Sequence, residues 1–154
     1  MKSVPFEAVA RSVEETREVG RELSLLLVPG TLVRLSGPLG AGKTELVRGL
    51  AEGLGIHPDE VASPTFALVH EHGPEGRPAL LVHADLYRLL DDERLEPAIE
   101  GLGLDEAREE GAVVVVEWPE GLPAGRGDFE VKVTPEENGA RRIEVRRAPG
   151  ESGA

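Results

Sequence analysis

The chain has 154 residues, enough for one domain that buries about two-thirds of the surface its unfolded form exposes. A formal net charge of −12 argues against a protein that grips nucleic acid by itself, because that affinity comes from Lys and Arg neutralising phosphates. The absence of cysteine excludes disulfides, thiolate zinc sites and cysteine nucleophiles, and the lack of a signal-peptide pattern or of a window of ~20 apolar residues predicts a cytoplasmic protein with no membrane span.

Residues 4–9 read as a short edge strand. Ser12 and Glu15 have the Ser-x-x-Glu spacing of a capping box, which predicts a helix over residues 13–27 with Val19, Leu23, Leu26 and Leu27 as its apolar stripe. Pro29 and Gly30 end it, and residues 31–35 form a strand that enters a phosphate-binding loop. Gly37, Gly42, Lys43 and Thr44 fit the spacing G-x-x-x-x-G-K-S/T, in which glycines let backbone N–H groups turn inward around phosphate oxygens. Lys43 supplies a point charge near the β- and γ-phosphates. The Thr44 hydroxyl, in the first turn of the next helix, is placed to ligate Mg²⁺, and the dipole of that helix favours an anion. Leu46, Val47, Leu50, Ala51 and Leu54 recur at helical spacing, with Gly55 at the C-terminal cap.

Residues 57–62 form a connecting loop, and Ser63, Pro64 and Thr65 lead into an extended segment over residues 66–72. Residues 79–84 form a second apolar strand, paired with the first as an antiparallel hairpin. Residues 86–110 read as helical pieces interrupted by Pro97, Gly101 and Gly103. The four valines at 113–116 suggest a strand covered on both faces. Residues 128–134 and 142–147 alternate around a turn at 136–139, which predicts a closing hairpin at the sheet edge. Residues 1–148 are expected to form a single domain and residues 149–154 a frayed tail.

Asp85 follows one strand and Glu117 another. In open α/β sheets, ligands sit beyond the carboxyl ends of the parallel strands, so two acids there would face the phosphates. One would hold Mg²⁺, and the other would orient an attacking water or complete the metal shell. Thr65 reads either as a hydroxyl that senses the γ-phosphate or as the start of a strand. Trp118, the single Trp, reads as core packing or as a neighbour of the nucleotide. His70, His72 and His83 fall on one hairpin, where hydrogen-bonded or solvated histidines are the expected reading and no zinc is expected.

Taken together, Gly-Pro-Leu-Gly-Ala-Gly-Lys-Thr (37–44), Ser-Pro-Thr-Phe (63–66), His-Ala-Asp-Leu-Tyr-Arg-Leu (83–89) and Val-Glu-Trp-Pro-Glu (116–120) resemble, in order and spacing, the TsaE family, formerly called YjeE. Ser-x-Glu-Glu-Thr-x-x-x-Gly (12–20) fits too, and the resemblance covers about residues 12–134. It implies a P-loop NTPase-like, three-layer α/β fold with a mixed, largely parallel central sheet and an antiparallel edge hairpin. The function it implies is that of an ATPase, using ATP and Mg²⁺, that supports threonylcarbamoylation of adenosine 37 in tRNAs reading codons that begin with A. The partners implied are TsaD and TsaB, with tRNA reached only through them.

Carried onto this chain, the resemblance makes Gly40, Ala41, Gly42, Lys43, Thr44 and Glu45 phosphate-binding residues and gives Mg²⁺ to Thr44 and Glu117. It sets Asp85 on the γ-phosphate side, Trp118 beside the nucleotide and Val13 along the base. Pro38 stands where the family often has Asp, which leaves the loop's backbone donors unchanged. Arg88, Arg141 and Arg142 receive no role. Two other readings are a small-molecule kinase, disfavoured because no Arg-rich lid is evident, and a binding module in which nucleotide only sets the conformation shown to a partner.

Overall fold

The computed structural model describes residues 3–62, 68–90, 95–122 and 127–148. Thr65 and the tail expected at 149–154 lie outside the described residues. The elements in chain order are β1 (Phe6–Ala10), α1 (Val13–Ser24), β2 (Leu32–Ser36), α2 (Lys43–Gly53), β3 (Val69–His72), β4 (Leu81–Asp85), α3 (Leu95–Glu100), α4 (Leu104–Glu109), β5 (Val113–Glu117), β6 (Phe129–Pro135) and β7 (Arg141–Arg147). The strands form one sheet in the order β1-β7-β6-β2-β5-β4-β3. β6, β2, β5 and β4 run parallel, while β3, β7 and β1 pair antiparallel with their neighbours. This is the mixed, largely parallel α/β sheet expected from the resemblance.

The valine run explains the centre. Val113 and Val115 join the core beneath α1 and α2, whereas Val114 and Val116 join a second core beneath α3 and α4, so β5 is covered on both faces. Among the described residues the second core draws on β2, β5, β4 and Val69 of β3. On β6, Glu130 is half-buried and Lys132 exposed, and β6 buries only one face.

Several boundaries differ from expectation for local reasons. The helix expected to reach residue 27 ends at Ser24, because Leu26 and Leu27 donate to the carbonyls of Leu23 and Ser24 in tighter i→i+3 turns. Pro97 does not interrupt a helix; it sits in the first turn of α3, where its missing N–H would have had no partner anyway. The β6–β7 hairpin does not close the edge, because β1 pairs outside β7 with Phe6 opposite Val145 and Ala10 opposite Arg141. Within the expected loop at 57–62, Pro58–Glu60 forms a 3₁₀ turn capped by His57.

The expected start of α1 and the expected cap of α2 hold in detail. The Ser12 side chain accepts from the Glu15 N–H at 3.1 Å, and Glu15 reaches back to the Arg11 N–H rather than to Ser12. At the end of α2, Ile56 N–H donates to Ala51 O and Gly55 N–H to Glu52 O, the two bonds of a Schellman motif, with Gly55 at φ +90°.

The two long helices touch backbone to backbone. A Cβ on Gly49 would lie 2.0 Å from Arg17 O, and one on Gly20 would lie 2.2 Å from Leu46 O. This close approach sets the position of α2, and so of the phosphate loop at its start. Gly→Ala at an exposed helix position stabilises by about 1 kcal/mol. Here steric overlap outweighs propensity, and Gly49→Ala is expected to destabilise by about 1–3 kcal/mol in urea unfolding. A gain in stability would show that the helices separate freely.

Candidate functional site

β2 ends at Ser36, and the chain turns through Gly37 to Gly42 before α2 begins at Lys43. The turn depends on glycine at particular points. A Cβ on Gly37 would come within 2.5 Å of Val133 O, so the root of the loop lies directly against β6. Gly42 caps α2 with φ +102°, a left-handed conformation that leaves no side chain over the first turn. The first bond of the α2 ladder runs from Leu46 N–H to Gly42 O, so the amides of Lys43, Thr44 and Glu45 precede it and lie at the positive end of the helix dipole. Ala41 differs from its loop neighbours: its side chain is buried in the core, and its N–H donates to Pro38 O at 3.1 Å.

Parallel pairing carries the acids to the same edge. Leu35, Glu117 and Asp85 lie in one register row across β2, β5 and β4. Both acids are the last residues of their strands rather than the first residues beyond them. A cleft of about 280 Å³ is lined by Leu39, Gly40, Gly42, Lys43, Thr44, Glu45, Asp85, Glu117 and Trp118. Of the residues singled out in the sequence, Gly40, Gly42, Lys43, Thr44, Glu45, Asp85, Glu117 and Trp118 therefore converge, whereas Gly37 and Ala41 serve from behind. Val13 lines an adjoining cleft, also about 280 Å³, with Ser12, Thr16, Gly42, Glu45 and Arg141.

Lys43 is the centre of this site. Its ammonium is buried, lies 3.6 Å from Glu117 Oε1 and 4.4 Å from the centre of the Trp118 ring, and has no hydrogen-bond partner among the described residues. A buried ammonium without an acceptor is an unmet demand for an anion. Glu117 and Asp85 are both buried but shift in opposite directions. Burial alone would raise the Glu117 pKa, yet the His83 hydrogen bond and the charges of His83 and Lys43 outweigh it and hold it below the ordinary glutamate value. Asp85 is pushed above its ordinary value, first by burial and then by Glu117, against the opposing Tyr87 N–H bond at 2.9 Å and the charges of Lys43 and His83.

Glu45 has its carboxylate engaged elsewhere, 2.7 Å from Arg17 Nε and also paired with Arg48. Its backbone amide, not its side chain, remains for a phosphate. Trp118 is half-buried at the rim with φ +58°, a left-handed conformation rare for a bulky residue, and its ring lies 4.8 Å from that of Tyr87.

Two residues at the site carry no role in the sequence reading. His83 is completely buried with Nε2 2.5 Å from Glu117 Oε2. Its place two residues before Asp85 on the same strand was the available signal. Arg141 extends from β7 toward the loop, with Nη2 3.4 Å from Gly40 O, a contact 101 residues apart that no local pattern announces. Arg142 turns away to Glu136 and Glu7. His70 and His72 stack edge-on at 6.2 Å, and no cluster of three or more His, Asp or Glu side chains able to hold a metal occurs among the described residues. The Thr44 hydroxyl and the Glu117 carboxylate line the same cleft, one or two protein oxygens of the kind Mg²⁺ takes together with phosphates.

The family described as "Threonylcarbamoyl adenosine biosynthesis protein TsaE" matches residues 10–143. A Streptomyces coelicolor protein named tRNA threonylcarbamoyladenosine biosynthesis protein TsaE is 50% identical over 108 residues, covering 68% of this chain and 68% of that protein. The protein of the same name from Mycobacterium tuberculosis is 46% identical over 114 residues, 71% of this chain and 66% of its own length. The one from Bacillus subtilis is 38% identical over 136 residues, 86% and 79% respectively. The crystal structure of YdiB from Bacillus subtilis superimposes with a TM-score of 0.68 at 28% identity, covering 99% of this chain and 90% of that one. That likeness extends the P-loop fold to nearly the whole chain.

The opposite shifts of the two acids have opposite consequences for stability. For Glu117, whose folded value is depressed, the stabilisation is complete above the unfolded value of about 4.3 and is lost as pH falls through the folded value. For Asp85, whose folded value is raised, ionisation disfavours the fold, and stability is gained as pH falls through that value. At pH 7, without nucleotide or Mg²⁺, Asp85→Asn is expected to raise the calorimetric midpoint. Glu117→Gln is expected to lower stability, by up to ~3 kcal/mol, because it strands the Lys43 charge. Shifts of the same sign in both variants would contradict this electrostatic picture.

Proposed function

This chain belongs to the TsaE family of threonylcarbamoyl adenosine biosynthesis proteins, and from that premise we propose that it is a Mg²⁺-dependent ATPase supporting threonylcarbamoylation of adenosine in tRNA. The observation that carries the reading is the buried Lys43 ammonium, which lacks a hydrogen-bond acceptor among the described residues and sits at the mouth of a glycine loop beside Glu117. A triphosphate supplies the acceptors that Lys43 lacks.

The amides of Gly40 and of Gly42 to Glu45 hold the phosphates, while the Ala41 amide stays with Pro38 O, and Lys43 turns from Glu117 toward the β- and γ-oxygens. Thr44 and Glu117 hold Mg²⁺, which when bound neutralises charge on the phosphates. Depressed below its ordinary value, Glu117 is ionised at neutral pH and ready to act as a ligand. Asp85, hydrogen-bonded to the Tyr87 N–H, keeps its second oxygen for a water on the γ-phosphate side. Trp118 covers the phosphate end, and the base lies along the cleft lined by Val13.

A net charge of −12 repels a polyanion, so tRNA is reached through partner proteins. In this reading the partners are TsaD and TsaB, in the cytoplasm, and each hydrolysis resets their complex between rounds of modification. Turnover by the isolated chain is expected to be slow and to rise when both partners are added. Lys43→Ala is expected to weaken ATP binding by about 30-fold or more, the effect of removing ~2 kcal/mol of charged hydrogen bonding. Glu117→Ala is expected to abolish Mg²⁺-dependent phosphate release while the circular dichroism spectrum is retained. Unchanged turnover in either variant would refute its assigned role, and ADP formation that required a small-molecule acceptor would replace the ATPase by a kinase.

A further inference from the structure

His83 stands on β4 two residues before Asp85, so both side chains leave the same face of the strand. The imidazole is completely buried, and Nε2 lies 2.5 Å from Glu117 Oε2. The other carboxylate oxygen, Oε1, faces Lys43 at 3.6 Å. The two oxygens of Glu117 are thus divided, one held from inside the core and one turned toward the cleft. An ionised carboxylate only accepts, so His83 donates from Nε2. Nδ1 is buried without a hydrogen-bond partner among the described residues. A histidine kept only to fill the core would be better replaced by an apolar residue, since an orphaned buried polar atom costs about 1–3 kcal/mol.

The carboxylate torsion of a glutamate is broad and nearly two-fold, so Glu117 by itself has no fixed plane. A donor on Oε2 removes that freedom. We propose that His83 is a positioning residue for the cation: its Nε2–H holds Glu117 Oε2 and thereby presents Oε1 to the metal that accompanies the nucleotide. This rests on the reading of Glu117 as a metal ligand. Hydrogen-bond partners of metal ligands typically contribute 10–100-fold in metal affinity.

The test is Mn²⁺ binding, read by electron paramagnetic resonance, to the protein saturated with a non-hydrolysable ATP analogue. Analogue affinity without metal and the thermal midpoint are measured alongside. His83→Leu fills the same space without a donor and is expected to weaken Mn²⁺ binding by about tenfold or more, with metal-free nucleotide affinity within about twofold of the parent. His83→Gln carries an amide N–H at the reach of Nε2 and is expected to recover Mn²⁺ affinity to within about threefold. Should the leucine variant not fold, His83→Asn, whose shorter amide falls short of Glu117, takes its place with the same expectation. Parent-like Mn²⁺ affinity in the donor-less variant, or equal loss in it and in His83→Gln, overturns the proposal. Glu117→Gln separates the two levels. If it weakens Mn²⁺ binding while donor-less His83 variants do not, only the role of His83 falls; if it leaves Mn²⁺ binding unchanged, the metal-ligand reading falls and this inference with it.

Discussion

A lysine ammonium buried where nothing among the described residues accepts its hydrogen bonds is the constraint around which this fold is arranged. Lys43 faces one carboxylate at a distance too long for a hydrogen bond and the face of one indole ring. Neither replaces the water it has lost. Folding alone therefore leaves the charge under-satisfied, and a ligand bearing several anionic oxygens relieves that debt on arrival. Pre-paid desolvation of this kind raises the share of electrostatic energy available for binding, because the ammonium need not be stripped of water when phosphate enters.

Everything that holds Lys43 there is structural. The glycine contact between α1 and α2 fixes the start of α2, and with it the height of Lys43 above the sheet. Parallel pairing of β2, β5 and β4 brings Leu35, Glu117 and Asp85 into one row, so the acids end where the loop begins. The left-handed backbone at Trp118 turns the chain directly after Glu117 and leaves the indole over Lys43. Strain at a bulky residue persists only where surrounding contacts over-determine it, and here those contacts are the cleft itself. His83 completes the set from below.

What could be read in the sequence was local. The phosphate loop, the capping box at Ser12, the Gly55 cap and the doubly buried valine strand each declare themselves within a few residues, and each recurs in the fold. The convergence of Asp85 and Glu117 was conditional on their strands being parallel to β2, a property of topology that no single segment contains. His83 and Glu117 are 34 residues apart, and Arg141 and Gly40 are 101 apart. Those contacts were invisible for that reason. The expected antiparallel hairpin of β6 and β7 and the expected edge strand at the start of the chain both form; the pairing of β1 outside β7, which puts β1 rather than the hairpin at the edge, is again a contact between distant segments.

The most direct measurement is a crystal structure of the protein grown with Mg²⁺ and a non-hydrolysable ATP analogue. Lys43 Nζ is expected to have left Glu117 for phosphate oxygens, with Mg²⁺ held through Thr44 and Glu117 and the phosphates cradled by the amides of Gly40 and of Gly42 to Glu45. Bound analogue whose phosphates lie away from this loop, with Lys43 still 3.6 Å from Glu117, would contradict it.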